Sequence, residues 1–330
     1  MKVTEIMGMD VSKSTLDIHL FGKQLSHSPV SNDTKGYKVL LKWVQKLLKA
    51  DMEGLLVVME YTGIYTYGIE RFLAQHNIRY VKRPALDIKR SVGMVRGKSD
   101  KADACFISKY GWMRKDDLVP MKPVSDTELE LQQLMSHRDK LVADKASYQS
   151  KLKELRLQMG DKVNNKMAGS MEYVMEVLTI EIRETEKQIK SLLKSEPLLE
   201  KNYELLISVT GIGFTTAVHL LIATENFTRF SDARKLICYC GVAPFEHSSG
   251  TSIRGKKRVS QLANKKLKSL LTMAAISAIQ HDPELKAKYQ QKVAEGKAKM
   301  SVINIIRAKL IERVFAVIKR QSAYELRLAA

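Results

Sequence analysis

The sequence has almost nothing with which to staple itself together: of 330 residues only three are cysteine, Cys105, Cys238 and Cys240. So few, and an odd number, exclude a disulfide-dense scaffold. Cys238 and Cys240 lack the CxxC spacing and the neighbouring Cys/His pair of a zinc site, so they read as structural thiols. Long apolar runs are also missing. Leu55-Leu56-Val57-Val58-Met59 is far shorter than the roughly 20 residues that a bilayer-spanning helix needs. The start, Met1-Lys2-Val3-Thr4-Glu5, leads into alternating residues rather than an apolar signal segment. These absences predict a cytoplasmic protein with no membrane partner.

Acidic charge is short relative to basic: Lys+Arg 55 stand against Asp+Glu 36, a net +19. The excess is uneven, +8 over 1–123, −2 over 124–200 and +13 over 201–330. Two basic modules joined by a nearly neutral spacer suit nucleic acid, although a basic ribosome-associated factor would share that balance. The apolar fraction of 45% is ordinary for a folded chain and gives no reason to expect disorder.

Three segments are expected. In 1–123, Val3 to Val11, Leu16 to Phe21 and Leu25 to Val30 read as antiparallel strands, the first two joined by a turn at Ser12-Lys13-Ser14. Thr34 to Lys49 has helical apolar spacing behind Asn32 and Asp33. Leu55 to Glu60 suits a buried strand, Ile64 to His76 a helix, Ile78 to Lys82 a strand, and Pro84 opens another helix. This β-β-β-α-β-α-β-α order is that of an α/β RNase H-like domain. Pro120 and Pro123 end it. In 124–200, Leu134, Leu141, Tyr148 and Leu155 recur every seven residues, with Arg138 and Lys145 in the companion column. A second run follows at Met171, Met175, Leu178, Ile182, Ile189 and Leu192, so a coiled-coil hairpin is expected. The segment 201–330 is mainly helical. Its Thr210-Gly211-Ile212-Gly213 suits a helix-hairpin-helix-like turn in which Gly211 and Gly213 either approach a phosphate or simply turn one helix onto the next.

Two groups of residues carry chemistry. Asp10 ends the first strand and Glu60 the buried one. Asp100 and Asp103, three apart, share a face if that segment is helical. Carboxylates at the ends of apolar strands are costly unless a cation compensates, and four converging would raise one another's pKa. Two Mg²⁺ ions would resolve the conflict and supply phosphoryl-transfer chemistry. The second group is Glu246-His247-Ser248-Ser249-Gly250-Thr251-Ser252-Ile253-Arg254-Gly255-Lys256-Lys257-Arg258. Its hydroxyls and glycines suit close approach to a phosphodiester held by Arg254, Lys256, Lys257 and Arg258. A serine here is either a nucleophile or, with Thr251 and Ser252, a hydrogen-bond donor in a phosphate-binding loop.

Gly8-Met9-Asp10-Val11-Ser12-Lys13, Glu60-Tyr61-Thr62-Gly63-Ile64-Tyr65, Ser99-Asp100-Lys101-Ala102-Asp103-Ala104, Gly241-Val242-Ala243-Pro244 and Ser249-Gly250-Thr251-Ser252-Ile253-Arg254-Gly255 together resemble transposases of insertion-sequence family 110. The related pilin-gene DNA invertases share the pattern. The resemblance covers nearly the whole chain. It implies a RuvC-like DEDD catalytic domain, a coiled-coil middle and a mainly α transposase domain. The metal ligands would be Asp10, Glu60, Asp100 and Asp103. Ser249 would be the nucleophile, acting through a phosphoserine intermediate and apparently across subunits of a dimer or tetramer. Donor and target DNA would be chosen by a structured noncoding bridge RNA. Ser248 is the alternative nucleophile if the motif is shifted by one residue. A RuvC-like junction nuclease without a covalent intermediate is the alternative activity.

Overall fold

The computed structural model describes residues 3–21, 26–49, 52–92, 99–160, 165–249, 253–259 and 263–326. The chain divides into two compact units, Met1–Val124 and Ser125–Ala330.

The first unit contains β1 (Glu5–Val11), β2 (Thr15–Phe21), β3 (Ser26–Ser31), α1 (Thr34–Leu47), β4 (Leu55–Glu60), α2 (Tyr67–Gln75), β5 (Arg79–Arg83), α3 (Ala85–Val92) and α4 (Asp100–Met113). A single 3-10 turn, Gly63–Thr66, precedes α2. The sheet order is β3-β2-β1-β4-β5. β2 is antiparallel to β1 and β3, whereas β1, β4 and β5 run parallel. This is the expected RNase H-like sheet.

Alternation along the central strands builds two cores, one on each face. Met7, Met9, Val11, Leu55, Val57 and Met59 face α1 and α2. Ile6, Leu56 and Val58 face the opposite layer with Ile88, Ile107 and Tyr110 from α3 and α4. Asp33 caps α1 by accepting the Gly36 amide at 2.8 Å, and Ser99 caps α4 through the Ala102 amide at 3.2 Å. Asp100 is thus the first helical residue rather than the cap, where its charge favours the helix dipole.

Glycines set the distance between α4 and the sheet. A Cβ on Gly8 would overlap the backbone amide nitrogen of Ser108 and the carbonyl oxygen of Ala104, and would stand 2.7 Å from the Ser108 Cα. On the other side of the contact, a Cβ on Gly111 would meet the Ile6 Cγ2 at 2.7 Å and the Val58 Cγ2 at 2.8 Å. The helix backbone therefore lies directly on β1. Gly8→Ala is expected to destabilise the unit by about 1–3 kcal/mol, because backbone rather than a pliable side chain must yield. A denaturant midpoint within error of wild type would count against so close a contact.

The second unit is α5 (Asp126–Met159), α6 (Asn165–Ser195), α7 (Pro197–Ser208), α8 (Phe214–Thr224), α9 (Ala233–Tyr239), a hairpin β6 (Pro244–Ser249) and β7 (Ile253–Val259), α10 (Lys265–His281), α11 (Pro283–Ala294) and α12 (Lys299–Arg320). Ser125 and Glu128 form a reciprocal capping box at the start of α5. α5 and α6 pack along each other. The buried positions of α5 are Leu131, Met135 and Leu152, so the column Leu134, Leu141, Tyr148 and Leu155 is the flank of the seam rather than its centre. Arg138 in the companion column reaches across to Glu186 with Nε at 3.0 Å and Nη2 at 2.9 Å, which satisfies a charge at the seam. Leu131, Met135, Ile189 and Leu193 continue into the core formed by α7 to α12. Among the described residues no helix is long and apolar enough to cross a membrane.

Candidate active site

Two strands and one helix bring the acids together. The parallel register pairs Gly8 with Val58 and Met9 with Met59, so Asp10 and Glu60 are the next residues on adjacent strands. By strand alternation both belong to the face covered by α4. Ile6 lies against Gly111, and Gly8 against Ala104 and Ser108. Two residues further along β1 the same antiparallel progression reaches the first turn of α4, which carries Asp100 and Asp103.

The electrostatics confirm the neighbourhood. The Asp10 carboxyl is pushed up to about 6 by burial first, then by Asp103, Glu60, Asp100 and Asp17 in that order. Asp10, Glu60 and Asp103 are half-buried and Asp100 is exposed, so the cluster opens to solvent at the C-terminal ends of two adjacent inner strands. Among the described residues no three Asp, Glu, His or Cys side chains stand close enough together to hold a metal as they lie. A cation between them would offset the repulsion of four like charges. An all-oxygen donor set fits a hard divalent ion such as Mg²⁺, and the raised Asp10 registers the uncompensated repulsion that such an ion would relieve.

Burial first, and that repulsion second, give the metal-free chain a pH dependence. Below about pH 4 Asp10 is protonated folded and unfolded alike and makes no difference. From there to about pH 6 the folded chain keeps a proton that the unfolded chain has released, so this contribution to stability falls as pH rises. Above that window the full cost is present. Melting in chelator from pH 4 to 8 should show this decline, and Asp10→Asn should flatten it; an unchanged slope in the variant would refute the cause. Divalent binding should have the opposite sign, tightening through the same window because the ligand must be deprotonated.

Sequence reasoning missed the residues that support the acids. Asp17 is the register partner of Asp10 on β2 and accepts from His27 Nε2 at 2.8 Å. His19, on the same face of β2, is buried, and its Nδ1 lies 2.7 Å from Ser108 Oγ. That hydroxyl donates to the Cys105 carbonyl at 2.8 Å, so His19 is the donor to it. Burial, then His27 and Lys101, lowers the His19 pKa, consistent with a neutral ring. The contact ties α4 to β2 and helps hold the two helical acids in place. The available signal was the polar alternation Asp17, His19 between Leu16, Ile18 and Leu20.

The remaining candidates lie in the second unit. Gly211 has φ +95°, and a Cβ there would meet the Ala274 carbonyl oxygen at 2.5 Å and the Ala278 Cβ at 2.8 Å, so its bareness serves packing against α10. Gly213 caps α8 and is exposed. Ser248 and Ser249 end β6. Arg254, Lys256, Lys257 and Arg258 are on β7, whereas Thr251 and Ser252 lie outside the described residues. Ser248 pairs with Arg254 and Ser249 with Ile253.

Known proteins match both parts of the chain, the first match running past Val124 to the end of α5. The model described as "Transposase IS116/IS110/IS902 family" matches residues 203–290, and a DEDD transposase model matches 7–159. The chain is 26% identical to the pilin gene-inverting protein of Moraxella bovis over 331 residues, covering 98% of each. The Moraxella lacunata protein of the same name is 25% identical over the same span. An uncharacterised 43.6 kDa protein of insertion element IS110 from Streptomyces coelicolor is 32% identical over 148 residues, 45% of this chain and 35% of that one. Among solved structures, T. thermophilus RuvC in complex with a Holliday junction substrate aligns with TM-score 0.29 and 10% identity over 36% of this chain and 99% of that one.

Proposed function

The chain belongs to the IS116/IS110/IS902 family of transposases and DNA invertases, and from that premise we propose that it excises and inserts, or inverts, a DNA segment by metal-dependent strand exchange through a serine–DNA link, guided by a structured RNA. The observation that carries the proposal is the placement of Asp10 and Glu60 at the ends of two adjacent inner strands, beside the helix turn that holds Asp100 and Asp103, with the raised Asp10 in support.

Two Mg²⁺ ions, held by these four carboxylates, would supply charge neutralisation at the phosphate and activation of the attacking oxygen. Ser249 Oγ attacks phosphorus; its proton leaves, the new O–P bond forms, and the bond to the leaving deoxyribose oxygen breaks. The ester conserves the phosphodiester's energy. A free hydroxyl end of another strand then attacks the phosphoserine, restoring a phosphodiester and returning the serine hydroxyl. Arg254, Lys256, Lys257 and Arg258 hold the backbone by charge, with the exposed Gly213 turn, Thr251 and Ser252 as further phosphate contacts. Acidic tetrad and serine need not come from one subunit, which is why a dimer or tetramer is proposed.

Excision, insertion and inversion are outcomes of one exchange, and the full-length similarity to pilin gene-inverting proteins supports that breadth. RNA guidance is supported by the basic excess at both ends of the chain and by the family resemblance. The test is to purify the protein, sequence the RNA that accompanies it, and incubate the complex with donor and target DNA. A discrete RNA and a denaturant-resistant protein–DNA adduct are expected. Cleavage without an adduct would replace this reading with that of a plain nuclease, and loss of no activity on RNA removal would end the guide proposal.

A further inference from the structure

The second unit buries a cation where stability alone would not place one. Arg307 of α12 is 5% exposed. Its Nη2 donates to Thr272 Oγ1 at 2.6 Å and its Nη1 to Asn304 Oδ1 at 3.1 Å. Both partners are neutral, and the buried Nε has no hydrogen-bond partner among the described residues. Thr272 Oγ1 in turn donates to the Lys268 carbonyl at 2.8 Å, so it offers the guanidinium a lone pair in a set direction. A buried guanidinium with only neutral acceptors is a net cost, and apolar replacements of buried charges are often neutral or stabilising.

The network leads to the root of the serine hairpin. Asn304, oriented through Oδ1 by Arg307, donates from Nδ2 to the Val242 carbonyl. Val242 is buried and sits just after Gly241, whose φ of +63° turns the chain out of α9. Its amide closes that turn on the Ile237 carbonyl at 3.0 Å. Two residues later β6 begins at Pro244, paired with Val259 at the other root of the hairpin. Among the described residues the two strands are packed chiefly on each other. The direction in which the hairpin leaves the core is thus set largely at its root.

We propose that Arg307 is a positioning residue for the serine hairpin, acting through Asn304 on the peptide of Val242 to fix where Ser248 and Ser249 are presented. The inference rests on the reading of Ser249 as nucleophile. It requires no contact between Arg307 and DNA. A misplacement of about 1 Å in such a support is enough to slow chemistry by about a hundredfold without changing what is bound.

The experiment uses the full chain with its co-purified RNA and its DNA, comparing wild type with Arg307→Met, Asn304→Leu and the double variant. Single-turnover adduct formation, DNA affinity, melting temperature and amide exchange over 244–259 are measured. Arg307→Met should melt at or above wild type and bind DNA within about twofold, yet form adduct about ten- to a hundredfold more slowly. Exchange should quicken at the hairpin alone. Asn304→Leu should slow adduct formation and quicken hairpin exchange in the same way, with a lowered melt because Arg307 and the Val242 carbonyl each lose a partner, and the double variant should be no slower than the worse single, as expected for one network. Wild-type adduct rate and wild-type hairpin protection in both single variants would overturn the proposal. A lowered melt with protection lost across the whole unit would also overturn it, since that is a merely structural role. If wild type itself forms no adduct, the nucleophile reading fails and the exchange data still decide: loss confined to the hairpin supports positioning, and no change refutes it.

Discussion

Asp10→Asn should abolish strand cleavage, lowering its rate by at least about 10³-fold, or about 4 kcal/mol of transition-state stabilisation. The substitution keeps size and hydrogen-bonding capacity and removes only the charge. Asp10 is the right place to make it because Asp103, Glu60 and Asp100 all act on its carboxyl, so it stands at the centre of the cluster. Two accompanying results separate this from misfolding. The metal-free variant should melt at or above wild type near neutral pH, because one member of a repelling group has been neutralised. DNA binding should stay within about threefold in chelator, since a lost negative charge does not weaken attraction to phosphate. Cleavage within tenfold of wild type would remove Asp10 from the reaction.

Ser249→Ala should eliminate the covalent adduct, with formation at least about 10³-fold slower, while Ser248→Ala retains it. The strand register makes this pair of variants decisive. Ser249 pairs with Ile253 and Ser248 with Arg254, so the two serines stand opposite different residues of β7. Adduct formation by Ser249→Ala with Ser248 intact would move the role to Ser248. Loss of adduct in neither variant would move it off the hairpin.

Much of the first unit was legible before any coordinates. Leu55 to Glu60 was an apolar run ending in an acid, and it is the inner strand β4. The spacing of Asp100 and Asp103 predicted one helical face, and both lie in the first turn of α4. What escaped depends on which residues meet across the chain. Asp17 is an ordinary strand residue until the β1–β2 register sets it opposite Asp10. Gly8 is an unremarked part of a motif until α4 is laid against it. The seven-residue column on α5 was real but offset, because α5 satisfies α6 along one side and the core of α7 to α12 at its base. Ser249 was never reachable from physical chemistry alone. Its neighbours describe a phosphate-binding loop equally well, and the resemblance to the family supplied the role.

The contact of α4 with β1 has one more consequence. Ile6 against Gly111, Gly8 against Ala104 and Ser108, and Asp10 near Asp100 and Asp103 form three matched steps, each advancing two residues on the strand and about four on the helix. Two strand residues rise about 6.6 Å and four helical residues about 6 Å, so the two scales stay in phase over that length. A one-residue insertion between Asp103 and Ala104 would turn both helical acids by about 100° away from Asp10 while leaving the apolar steps engaged. The small residues thus work as the graduations of a ruler. A side chain larger than hydrogen at position 8 would lift α4 off this scale, and both helical acids would move with it.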